Sequence, residues 1–97
     1  MSIQAQEFWA TQDLFNVGSL LNRLYDMAAT DEEFSDMYDQ DARDVEIAIE
    51  LFRQDAPEAL AQHIYQMDTS PREDLVVAFG KDVGRVFVRD VLGYEIR

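Results

Sequence analysis

Cysteine is absent from this 97-residue chain, and that excludes disulfide frameworks and thiolate metal sites. The absence fits the reducing cytosol. Lysine occurs once, at Lys81, and histidine once, at His63. A lone histidine with no second histidine or carboxylate at ligand spacing gives no basis for a histidine metal centre. Ser19, Ser35 and Ser70 have no paired base in the sequence, so hydrolytic catalysis has no support either. Two prolines and four glycines leave few places where a helix must stop. No apolar run approaches the roughly 18 residues of a membrane span. The opening "MSIQAQEFWA" lacks a basic leader region. The expectation is a cytoplasmic protein with no signal peptide, no cofactor, no metal and no enzymatic activity.

What is abundant is acid. Twenty aspartates and glutamates stand against eight lysines and arginines, a net charge of -12. Nucleic acid and anionic membrane are themselves polyanions, so neither is expected as a direct partner. A basic protein surface is. Hydrophobic residues make up 47% of the chain, with eleven aromatics, enough for one modest core and too many for disorder.

The charge is uneven. Residues 1–60 carry fourteen acids and three arginines, a net of -11, whereas residues 61–97 carry six acids and five bases, a net of -1. The stretch "TDEEFSDMYDQDARDVEIAIE", residues 30–50, holds nine carboxylates and one arginine.

The apolar spacing is helical throughout, and alternating strand patterns are missing. The expected fold is all-α, a compact single-domain bundle of five or six short helices. A first helix begins at Ser2 or after Thr11 and buries Leu14, Val17, Leu20, Leu21 and Leu24. Thr30 and Glu33 match a capping box for a short helix over 31–38, with Phe34, Met37 and Tyr38 inward. A helix over 41–54 has apolar residues around more than half its circumference and should lie centrally. Asp55 and Pro57 open the next, with Leu60, Ile64 and Met67 inward. Ser70, Pro71 and Glu73 open another that stops at Gly80. A last helix over 82–92 ends at Gly93. Phe8, Trp9, Phe15 and Tyr25 are core candidates, and Trp9, if exposed, is an interface anchor.

Part of the acid has an ordinary structural reason. Carboxylates in a first helical turn oppose the positive end of the helix dipole, each by roughly 0.3–1 kcal/mol. Yet residues 26–58 carry twelve acids against two arginines, more like charge than solubility requires. "DQDARD" lacks the glycine of a calcium loop at its sixth position. Glu33-x-x-Asp36 and Asp41-x-x-Asp44 lie too close in sequence to face each other from two helices around magnesium. Gly18 stands where a phosphopantetheine carrier places Asp or His before its serine.

The remaining reading is a docking surface. Asp31, Glu32, Glu33, Asp36, Asp39, Asp41 and Asp44 are the candidate contact residues for a basic protein. In the sharpest form they imitate nucleic acid and block a basic groove, as phage anti-restriction and anti-CRISPR proteins of similar size and charge do. A single helix over 26–58 would carry one net charge per about 5 Å, and two acidic helices side by side would halve that, against about 1.7 Å per charge in B-DNA. The alternative is a helical adaptor or regulatory subunit that binds a protein partner through an apolar, aromatic surface. Lys81, Arg85 and Arg89, spaced by four, form a basic stripe through which two copies could associate.

Overall fold

Val17, Leu20 and Leu24 recur at three and four residues and bury one face of the first helix, α1, Phe15–Thr30. The computed structural model describes residues 14–94, so Ser2, Phe8 and Trp9 lie outside the described residues. Four more helical segments follow: α2, Ser35–Arg53; α3, Pro57–Gln66; α4, Thr69–Val83; and α5, Arg85–Phe87, which passes into a π-helical turn, Val88–Leu92. Among the described residues there is no strand, and the fold is an all-α single-domain bundle.

The two helices expected over 31–38 and 41–54 are one. No glycine or proline lies between Gly18 and Pro57, and Asp39 and Asp44 are each held by a side chain one turn away along the same helix. Asp39 meets Arg43 at 3.1 Å, and Nε2 of Gln40 donates to Asp44 at 3.1 Å, both at i, i+4. The capping box does not form. The Thr30 hydroxyl donates to the carbonyl of Asp26 at 2.8 Å, and Oδ1 of Asp31 accepts the N–H groups of Glu33 and Phe34, each at 3.1 Å. Aspartate, charged and one residue later, takes the orphan donors that threonine was expected to take.

Asp55 closes α2 rather than opening α3. Its N–H donates to Phe52 O and the N–H of Ala56 to Leu51 O, with Asp55 at φ 55°. This is a Schellman closure with aspartate where glycine is usual. Helix α4 runs through Gly80 to Val83, and Gly84, at φ 99°, ends it. The buried Phe79 and half-buried Val83 hold that last turn against the core, outweighing the cost of about 1 kcal/mol for an internal glycine. Gly93, at φ 76°, ends the chain's last turn as expected.

The core sits where α2, α4 and α5 meet. Phe52, Phe79 and Phe87 form an aromatic triad with centroids 5.7, 5.7 and 5.8 Å apart. Leu60 and Ile64 of α3 are buried beside Val45 and Ala48 of α2 in the same cluster. Helix α1 packs antiparallel on α2, and the Ser35 hydroxyl donates to the carbonyl of Ala28 at 2.6 Å near the turn that joins them. The outer end of α4 locks onto the start of α1 through Asp82, so α1 lies between α2 and α4.

Candidate interaction surface

A nineteen-residue helix with a buried strip on one side must show the rest of its circumference to solvent. On α2 that outer arc holds Asp36, Asp39, Arg43, Glu46 and Glu50 along one edge. Gln40, Asp44 and Ile47 follow along the other. Asp39 pairs with Arg43, and Glu46 accepts a hydrogen bond from the Tyr25 hydroxyl of α1. That bond is the first cause holding the Tyr25 hydroxyl above its ordinary pKa.

The seven candidate contact residues therefore do not form one continuous ridge. Glu32, Glu33 and Asp36 are exposed, and among the described residues no basic side chain reaches them. Asp31 is half-buried and engaged in the turn. Asp39 is paired with arginine. Asp44 is half-buried on the side facing α3. Asp41 is turned inward, 6% exposed. Burial pushes its carboxyl pKa up, and the neighbouring carboxylates of Asp68 and Asp44 push it further. Spacing decides this: 100° per residue carries Asp41 and Asp44 well away from Asp36 and Asp39.

His63 is structural. Its Nε2 lies 2.8 Å from the carbonyl oxygen of Asp44, and since a carbonyl can only accept, that nitrogen carries the proton. The contact fixes α3 antiparallel to α2, with the α3–α4 corner at Asp68 level with Asp41. The turn between α1 and α2 thus projects beyond α3. Phe34 and Met37, expected inside, stand on this overhang, each 46% exposed, and Phe15 and Tyr25, also core candidates, are exposed on α1.

Described residues line two recesses. A groove of about 300 Å³ between α1 and α4 is lined by Asn16, Ser19, Arg23, Asp74, Val77 and Lys81, and no hydrogen bond joins Ser19 to Asp74 or Lys81. A smaller one of about 170 Å³, at the foot of the overhang, is lined by Asp44, His63, Gln66 and Met67. Among the described residues no group of three or more His, Cys, Asp or Glu is placed to hold a metal ion. None of the described helices is long and apolar enough to cross a membrane. The expected basic stripe is interrupted: Lys81 belongs to α4, Gly84 intervenes, and Nε of Arg89 donates to its neighbour Asp90 at 2.9 Å.

Exposed Phe34 and Met37 are the interface candidates that helical periodicity alone assigned to the interior. Their signal was present in the continuation of their spacing. Phe34, Met37, Asp41, Asp44, Ala48 and Leu51 alternate by three and four, and two aspartates in such a strip mark where the protein's own core stops. No protein-family model, curated protein or solved structure matches this chain.

Proposed function

We propose that this is a non-enzymatic interaction protein that docks on a basic protein surface through the projecting turn and outer edge of α2. The observation that carries the reading is the run Glu32, Glu33 and Asp36: three exposed carboxylates that no basic side chain among the described residues reaches, on the turn that projects beyond α3. Charges left unpaired on an exposed tip act on whatever approaches, steering a basic partner and setting its orientation.

In its sharpest form the partner is a nucleic-acid-binding protein and the acids compete for its groove. The α1–α2 pair supplies less charge than duplex mimicry needs. Only Asp26 of α1 belongs to the acidic set, beside Arg23, and the edge from Asp36 to Glu50 carries four acids and one arginine. Fourteen residues span about 21 Å, or one net charge per about 7 Å, whereas a duplex presents one per about 1.7 Å and a single strand one per about 3.4 Å. Competition for a groove therefore works by occupying a few phosphate positions, not by tracing the duplex.

The test is a partner recovered with the immobilised full chain, its affinity then measured from about 50 to about 200 mM salt with and without duplex DNA. A steep loss with salt, weakening in the Glu32→Gln, Glu33→Gln, Asp36→Asn triple variant and competition by DNA are expected. An affinity that salt and the triple variant leave unchanged sinks the reading. The adaptor alternative has its own observation in exposed Phe34, Met37 and Ile47, the last 45% exposed on the outer arc of α2.

A further inference from the structure

The strip of α2 that faces α3 does not end where α3 ends. Ala48 is buried, and Asp44 is held by His63 through its backbone. Helix α3 stops at Gln66, and the chain turns away at Asp68. One to two turns further along the same strip stand Met37 and Phe34, a methionine and a phenylalanine about half exposed. An unfinished strip of this kind has the shape of a groove edge waiting for one more helical segment in line with α3.

The charges around it say what that segment is. Glu32, Glu33 and Asp36 stand at the tip, and Asp44 and Asp68 lie below, so the apolar pair has carboxylates at both ends. Asp41, almost buried between them, has no hydrogen bond or ion pair within the described residues. The recess lined by Asp44, His63, Gln66 and Met67 pairs a carboxylate residue with a methionine wall, the surroundings that suit the stem and head of a lysine or arginine. A second copy of this chain is a poor occupant, since each copy carries a net charge of -12.

We infer that the uncovered end of α2 takes a basic amphipathic helix of a partner protein, its apolar face on Phe34 and Met37 and its cations over Asp44 and Asp68. This rests on the acidic-docking reading and adds to it an apolar anchor, where contact with desolvated side chains supplies affinity and the acids supply orientation.

Two synthetic probes test it against the full chain: a peptide of about eighteen residues with leucines on one helical face and lysines on the other, and an equally charged lysine–serine–glycine peptide. The amphipathic peptide should bind tenfold or more tighter. Phe34→Ser with Met37→Ser should erase that preference, leave the weak salt-sensitive binding of the polar peptide, and leave the helical circular dichroism unchanged with only a small fall in melting temperature, because both side chains are about half exposed. Asp68→Asn should weaken the amphipathic peptide severalfold. Equal affinity for the two peptides, or a preference that survives the double substitution, overturns the inference while the acidic-docking reading stands. If neither peptide binds at low salt, both fail. Concentration-dependent dimers in sedimentation that vanish with the double variant would make the occupant a second copy, and the inference would be wrong.

Discussion

Asp82 caps a helix whose second residue, Asn16, lies sixty-six residues earlier in the chain: one carboxylate oxygen accepts the backbone N–H and side-chain amide of Asn16 at 2.8 and 2.7 Å, and the other accepts the N–H of Val17 at 2.8 Å. Among the described residues no side chain local to α1 caps it. The orphan donors of its first turn are met from α4, so the cap is also the latch between the two helices. Asp82→Ala should cost about 1–2 kcal/mol, read as a lower urea midpoint at unchanged slope. Asp82→Asn, which keeps an acceptor and loses the charge, should fall between. An Asp82→Ala midpoint equal to wild type would show that the latch contributes nothing.

Asp55 adopts a backbone conformation that glycine adopts without strain. Its Oδ1 is also buried with no hydrogen-bond partner. Asp55→Gly should therefore stabilise the fold by roughly 0.5–1 kcal/mol, and Asp55→Val should destabilise it by roughly 1–2 kcal/mol, since a β-branched side chain is worst placed at positive φ. Thermal melts of the two variants should move in opposite directions.

Asp41 makes stability depend on pH in the unusual direction for an acid. Its folded pKa lies above the ordinary 3.8, first because burial penalises the charge and then because Asp68 and Asp44 repel it. Its favourable contribution is thus complete below about 3.8 and is lost as pH rises through the higher folded value. Asp41→Asn should be more stable than wild type at neutral pH, and the advantage should shrink as pH falls through that window. Urea unfolding of both proteins across acid and neutral pH measures it, and a difference independent of pH would refute the account.

Phe52 sits at the centre of the aromatic triad and is 1% exposed. Phe52→Ala should cost about 3–5 kcal/mol, a large share of the 5–15 kcal/mol typical of a small domain. Near-ultraviolet circular dichroism should report loosened packing before the helices are lost.

The class of fold and most of the core were legible because each rests on local periodicity, although α2 read as two helices. Val17, Leu20 and Leu24, or Leu60 and Ile64, face inward wherever such a helix packs. Ends were harder to read. Thr30, Asp55 and Gly80 all carried familiar end signals, and none acted as its signal suggested: Asp31 took the donors, Asp55 closed the helix before it instead of opening the one after, and Gly84 rather than Gly80 took positive φ. A local signal names a residue able to end a helix, and packing chooses among the able ones.

The candidate surface divides in the same way. Exposure of Glu32, Glu33 and Asp36 is what charge favours, because burying an unpaired carboxylate is costly, and the buried Asp41 is the exception that packing imposes. The inward turn of Asp41, the recess beside His63 and the exposure of Phe34 and Met37 depend on where α3 stops relative to α2.

Composition and spacing by themselves determined that the chain is helical, strongly acidic in its first sixty residues, and without a catalytic motif, because each depends on residue type and near neighbours alone. Tertiary structure decided that α2 is longer than the helix it packs on, and so which side chains are left without a neighbour. The physical reason is that helix propensity acts over a few residues, while the cover over a strip is set by an element far away in the chain.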